Sequence, residues 1–320
     1  MSAGIGVDIG GTKIAAGLVS ADGDLLERVS LPTPEEPAGI VDAVAALVEK
    51  LRAGTDDVEG AVGVGAAGFV GADRSTITFA PNIDWRDEPF GARLTERLGV
   101  PVVVENDANV AAWAEYRFGA GREADDVLLV TIGTGVGGGV VQRGDLVRGG
   151  FGAAAEIGHL RVVRDGRPCG CGRRGCLEQY GSGTALVRDA KDRLRGGAPD
   201  GSALLARAGG DVEAVTGPMV TELAQAGDAL CVDLLHDLGT WIGEGCASLA
   251  AVLDPSTIVI GGGVADAGDL LSGPVRTAFE QHLPGRTHRH VASVTIATLG
   301  NDAGLIGAAD LGRLEGGSGA

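Results

Sequence analysis

Gly6-Val-Asp-Ile-Gly-Gly-Thr-Lys-Ile-Ala-Ala-Gly-Leu-Val19, followed by Gly23-Asp-Leu25, is echoed by Leu128-Leu-Val-Thr-Ile-Gly-Thr-Gly-Val-Gly-Gly-Gly-Val-Val141, followed by Gly144-Asp-Leu146. Each copy reads as a β-rich run, a glycine turn, a second β-rich run and a second turn. A hairpin of this kind opening each half predicts a duplicated α/β domain, and 320 residues suffice for two lobes, each with its own core. Around the first copy, Ile40, Val41, Val44, Leu47, Val48 and Leu51 recur at helical spacing and predict an amphipathic helix ending near Gly54. Ala61 to Ala66 and Val102 to Glu105 read as strands, and Asp107 stands where a helix through Phe118, closed by Gly119, begins. In the second half, Leu230, Leu234, Leu238, Trp241, Ile242, Leu249 and Leu253 predict one or two long helices stopped by Asp254-Pro255. Thr257 to Ile260 predicts a strand, and Asn301 to Leu314 a final helix that packs back on the first lobe.

Composition narrows the function. Hydrophobic residues make up 44% but aromatics only 3%, so Val, Ala, Leu and Ile must fill closely approaching layers. The 56 glycines cluster at turns and in short runs and read as loops that let backbone approach a ligand. A net charge of −17 with no offsetting basic stripe argues against nucleic acid and against an anionic membrane surface. No basic region precedes the first apolar residues, and the longest uncharged run, around Leu128 to Gln142, is too short and glycine-broken to span a bilayer. These features predict a soluble, cytoplasmic protein, with Glu315 to Ala320 as a disordered tail.

Gly133-Thr-Gly-Val-Gly-Gly138 has the spacing of a dinucleotide fingerprint, but that fingerprint opens a helix, whereas Gly137 to Val141 reads as a second hairpin strand. Gly10-Gly-Thr-Lys13 likewise lacks the spacing of a P-loop. Two glycine-lined β-turns remain, Gly10-Gly11-Thr12 and Gly133-Thr134-Gly135, with Gly262 and Gly263 after a late strand. Backbone N–H groups in such turns form anion nests, Thr12 and Thr134 add hydroxyl donors, and Asp8 could hold Mg²⁺ through water. A single turn of this kind is often merely structural; the related pair argues for phosphate.

Between Glu156 and Glu178 lie His159, Cys169, Cys171 and Cys176, the ligand set of a structural Zn²⁺ site with three thiolates and one imidazole. Scattered core cysteine accounts poorly for three of the five cysteines in one window, and a disulfide would leave an odd thiol and need an oxidising compartment. Cys231 and Cys246 fall on an apolar helical pattern and read as buried.

Asp8-Ile-Gly-Gly-Thr-Lys13, Glu105-Asn-Asp-Ala-Asn109, Gly133 to Gly138, Glu156-Ile-Gly-His159, Cys169-x-Cys-Gly-x-x-Gly-Cys-Leu-Glu178 and Ile260-Gly-Gly-Gly263 together resemble the ROK family of sugar kinases and sugar-responsive repressors, and within it the bacterial glucokinases. The resemblance covers nearly the whole chain. It implies an actin-like ATPase (ribonuclease H-like) α/β fold of two duplicated lobes with a cleft between them, assembled as homodimers or homotetramers. The lobes implied are 1–110, completed by the helix 301–315, and 111–300, which carries the zinc loop, second phosphate turn and adenosine site. The implied reaction is ATP-dependent phosphorylation of glucose at its 6-hydroxyl, with Asp107 as base. Asn106, Glu156, His159 and Glu178 resemble the sugar contacts, with Gly68 and Asn82 beside them. Asp8, Gly10, Gly11, Thr12, Lys13, Gly133, Thr134, Gly135, Gly137, Gly262 and Gly263 resemble the ATP–Mg²⁺ site. As a lone residue Asp107 is equally readable as a helix N-cap, and both roles are compatible. Family repressors carry a helix-turn-helix of many tens of residues ahead of the first turn, for which Asp8 leaves no room. Kinases of N-acetylmannosamine, fructose or mannose, a polyphosphate donor, and a non-catalytic sugar sensor are the competing readings.

Overall fold

The computed structural model describes residues 3–55, 58–80 and 83–316. By its internal contacts the chain divides into two units, the first taking 1–125, 139–155 and 298–320 and the second 126–138 and 156–297. Strands β1 (Ala3–Ile9), β2 (Lys13–Ser20) and β3 (Leu25–Pro32) are followed by α1 (Gly39–Arg52) and β4 (Val62–Ala66). A small sheet of β5 (Phe69–Val70), β6 (Ile77–Ala80) and β7 (Trp85–Glu88) leads to α2 (Phe90–Leu98), β8 (Val102–Asn106) and α3 (Asp107–Phe118). The echo comprises β9 (Val127–Ile132), β10 (Val136–Gln142) and β11 (Asp145–Leu146). Helices α4 (Glu178–Gly181), α5 (Gly183–Arg195), α6 (Ser202–Arg207), α7 (Gly217–Gln225) and α8 (Ala229–Leu253) precede β12 (Thr257–Gly261), α9 (Asp269–His282), β13 (Ser293–Ile296) and α10 (Ala303–Gly316).

The repeated sequence is a repeated topology. The main sheets run β3-β2-β1-β4-β8 and β11-β10-β9-β12-β13. In each, the central strand of the hairpin pairs in parallel with the next strand, which pairs in parallel with the last. β10 is a strand, as the rejection of a dinucleotide fingerprint requires.

Small residues set the spacing of the first unit, and here the reading of the glycines as loops needs correction. Many line packed elements. A Cβ on Gly63 would fall 1.7 Å from the Ala308 carbonyl oxygen, one on Gly6 2.0 Å from that of Leu305, and one on Gly307 1.9 Å from that of Val110. Helix α10 therefore lies on β1, β4 and α3 at backbone contact distance, as predicted for the final helix, and any side chain at these points would force the layers apart. Asp310, buried on α10, accepts hydrogen bonds from Trp113 Nε1 at 2.8 Å and Arg117 Nε at 3.0 Å, so α3 is tied to α10 by a desolvated charge, which Arg313 on α10 itself also pairs. The split expected at residue 110 falls inside α3, and the unit containing α3 continues to Asp125.

The helix over Ile40–Leu51, the strands near 61–66, 102–105 and 257–260 and the long helix to Leu253, a single one, all form. The small sheet, α2, α4 to α7, α9 and β13 have no counterpart in the sequence reading. Glu315 and Gly316, expected in a disordered tail, close α10, and the rest of that tail lies outside the described residues. Among the described residues no helix is long and apolar enough to cross a membrane.

Candidate functional site

In the first unit β8 delivers Glu105, Asn106 and Asp107 directly into α3. The N-cap is Asn106, not Asp107: Asn106 Oδ1 accepts from the N–H groups of Ala108 at 2.9 Å and Asn109 at 3.1 Å. Its Nδ2 donates to the Gly68 carbonyl at 3.0 Å, which leaves one amide hydrogen for a ligand. Relieved of capping by its neighbour, Asp107 occupies the first helical position with its side chain exposed, where the positive end of the helix favours a carboxylate. Glu105, 3% exposed, holds this corner from behind. One carboxylate oxygen accepts from Asn106 N–H at 3.1 Å and Asn109 Nδ2 at 3.0 Å, and the other pairs with Arg148 Nε at 2.5 Å. Neither Glu105 nor Arg148 was read as a site residue, although a glutamate inside a buried strand demands a cation. Gly68 has a φ of 153°, and a Cβ there would meet the Phe79 carbonyl oxygen at 2.6 Å. Asn82 lies outside the described residues.

The two glycine turns are built alike. Gly10 N–H closes the first by donating to the Lys13 carbonyl at 3.0 Å, and Gly133 N–H closes the second by donating to that of Gly135 at 3.0 Å. A threonine hydroxyl clamps each, Thr33 Oγ1 donating to the Gly10 carbonyl at 2.6 Å and Thr184 Oγ1 to the Thr134 carbonyl at 2.7 Å. Neither threonine stood out in the sequence, because each is distant from its turn. Cβ atoms on Gly11 and Gly133 would meet nothing within 4 Å, so protein packing does not explain glycine there. Gly137 follows in β10. In the second unit Gly133, Thr134, Thr184, Lys191, Thr221 and Gly263 face a cavity of about 1000 Å³. Gly262 serves packing instead: its φ is 83° and its Cβ would strike Ile132 N at 2.5 Å.

Asp8, on β1 opposite Ala15, stands behind the first turn. Burial pushes its carboxyl pKa upward, partly offset by Arg28 and Lys13. A carboxyl with a raised folded pKa binds more protons folded than unfolded, so stability is lost as pH rises from about 4 through that raised value. Ligand-free Asp8→Asn should therefore melt above the parent protein at pH 7, with the gap closing below about pH 4. Equal melting curves at pH 7 would contradict this.

The second unit carries a cluster of candidate metal ligands. Ligand atoms of His159, Cys169, Cys171 and Cys176 all lie within 4.8 Å of one another, so the four could hold one metal ion. Cys171 Sγ and Cys176 Sγ are 3.7 Å apart, and Cys169 Sγ is 3.6 Å from His159 Nδ1. A tetrahedral ion with metal–sulfur bonds of about 2.3 Å needs sulfur–sulfur edges of about 3.8 Å, so this pair has the spacing of a closed tetrahedron. Without a cation, burial first and the neighbouring cysteines second push the Cys176 thiol up to about 12, and a dication would supply the missing charge. Nδ1 faces the sulfurs, which turns Nε2 outward as a donor. Glu156 closes one end of the loop; its side chain keeps solvent contact, yet partial burial, opposed by His159 and reinforced by Glu178, raises its pKa. Glu178 opens α4 at the other end.

Residues 4–314 match the ROK family. The chain is 51% identical over 309 residues to a glucokinase of Streptomyces coelicolor, covering 97% of both proteins. It is 34% identical to an N-acetylmannosamine kinase of Shigella boydii, over 97% of this chain and 98% of that one. Its structure superposes with a TM-score of 0.88 on a ROK family glucokinase from Streptomyces griseus crystallised with glucose and AMPPNP, at 51% identity over 98% of this chain and 100% of that one. The duplicated sheets are those of an actin-like ATPase. With the same fold, matching motifs from end to end and half its residues shared with two such proteins, the chain belongs to the ROK family.

Proposed function

We propose that the protein is a glucokinase that transfers the γ-phosphoryl group of ATP to the 6-hydroxyl of D-glucose. The observation that carries this reading is 51% identity to a glucokinase over 97% of the chain. Asp107 accepts the proton of the attacking hydroxyl, a role suited to an exposed carboxylate at a helix N-terminus. Asn106 contributes its remaining amide hydrogen, Glu156 and Glu178 accept from ring hydroxyls, and His159 Nε2 donates, with Gly68 and Asn82 as neighbouring contacts. The turns at Gly10–Thr12 and Gly133–Gly135 bind phosphate oxygens through backbone N–H groups, and the cavity beside Thr184 and Gly263 takes the adenosine. Bound Mg²⁺, held by Asp8 through water, would neutralise phosphate charge, and Zn²⁺ on His159, Cys169, Cys171 and Cys176 would fix the loop that bears the sugar contacts. The protein acts in the cytoplasm as a homodimer or homotetramer, without nucleic-acid or membrane partners.

The relative that phosphorylates N-acetylmannosamine supports a second reading, because hydroxyl-binding carboxylates serve several hexoses. A coupled assay decides between them, using glucose, N-acetylmannosamine, mannose and fructose with ATP or polyphosphate. The expected result is that glucose with ATP gives the highest kcat/KM. A higher value for any other pair would replace the assignment.

A further inference from the structure

Glu178 makes contacts that sugar binding does not account for. Its Oε2 accepts from Val136 N–H, the residue leaving the second glycine turn, at 3.3 Å. A Cβ on Gly135 would lie 2.4 Å from the same oxygen, and Gly135 is absent from the residues with positive φ. A methyl at 135 would therefore have to displace the Glu178 carboxylate, whereas the sequence pointed to an approaching anion. The other oxygen, Oε1, is 3.8 Å from Cys169 Sγ. The backbone that carries the carboxylate is held: Cys176 is a cluster residue two positions earlier, and Leu177 between them is 1% exposed with its N–H donated to the Leu160 carbonyl at 2.8 Å.

We propose that Glu178 is a positioning residue for the second phosphate turn, so that the metal loop sets nucleotide affinity as well as sugar affinity. The Gly133–Gly135 turn presents its outward N–H groups to phosphate only while Val136 is held at its exit, and the acceptor holding it is carried by the cluster. The proposal rests on the reading of that turn as a phosphate site. It assigns Glu178 a function in the absence of sugar.

Calorimetric titration of purified, metal-loaded protein with Mg²⁺ and a non-hydrolysable ATP analogue, without sugar, tests it. Gly133→Val, at the open position, tests the turn itself; undiminished affinity would remove the phosphate reading and this proposal with it. Gly135→Ala should weaken the analogue several-fold by displacing the carboxylate from Val136, and Glu178→Ala by a similar factor through loss of the acceptor. The double variant should bind no worse than Glu178→Ala alone, since the methyl then meets no carboxylate. Additive losses, or an unaffected Gly135→Ala, would overturn the coupling while leaving the turn reading intact. Should Gly135→Ala fail to fold, Glu178→Gln, which keeps an acceptor for Val136, is expected to hold affinity within about threefold while Glu178→Leu does not. Equal affinities for those two would refute the role. Metal content of one ion per chain in each variant separates turn positioning from loss of the loop.

Discussion

Replacing Asp107 by alanine should lower kcat by about 10²–10⁴-fold while glucose still binds, with modest weakening. The base is the only group asked to act on the nucleophile, and its removal leaves the neighbouring framework standing. Asn106 caps α3 with its own oxygen, and Glu105 anchors Asn106 and Asn109 from the buried side, so neither needs the Asp107 carboxylate. The variant should accordingly melt within about 1 kcal/mol of the parent protein, as expected for an exposed position. Steady-state kinetics with glucose titration by tryptophan fluorescence separates the two effects. Retention of more than about a tenth of parent kcat would disqualify Asp107 as the base. The contrast is Asn106→Ala, which removes a cap and frees Gly68 together, and should lose stability and sugar affinity jointly.

Cys171→Ser is the second large effect. A three-thiolate, one-imidazole zinc site can supply on the order of 10 kcal/mol to local folding, more than a loop of turns and bridges can replace. Cys171 is exposed at the cluster and its loss leaves no large cavity, so the damage should pass through the ion. Stoichiometric zinc should disappear and glucose affinity fall by at least about 100-fold, because His159 belongs to the same candidate ligand set and Glu156 and Glu178 bracket the loop. Nucleotide affinity should fall as well, through Glu178. Metal analysis beside calorimetry measures both, and a zinc-free variant with normal glucose binding would refute the arrangement.

The parts of this molecule that could be read early are those where chemistry or period is local. The hairpins announce themselves by glycine between β-rich runs, and the candidate metal ligands by residue type and spacing within eighteen positions, from His159 to Cys176. What escaped depends on partners far away in the chain. Thr33 and Thr184 are ordinary threonines until the fold sets them over the turns. Gly6, Gly63 and Gly307 look like flexible positions until α10 presses on them. Asn106 and Asp107 were confused by one position because both are good caps, and only the donors at Ala108 and Asn109 distinguish them. At Gly135 the sequence pointed to an approaching anion, but what a side chain there would meet is a carboxylate from forty-odd residues downstream.

The seating of α10 on β1 and β4 also has a bearing on how the protein is made. β1 ends at Ile9 and the helix that covers it begins at Ala303, so on a ribosome adding about 5–20 residues per second the first sheet waits about 15–60 s for its lid. During that interval the glycine-rich face is open to any edge or chaperone that meets it. The first unit, although begun first, is therefore the later of the two to reach its native packing, and pulse-labelled nascent chains should gain protease resistance in residues 156–297 before residues 3–55.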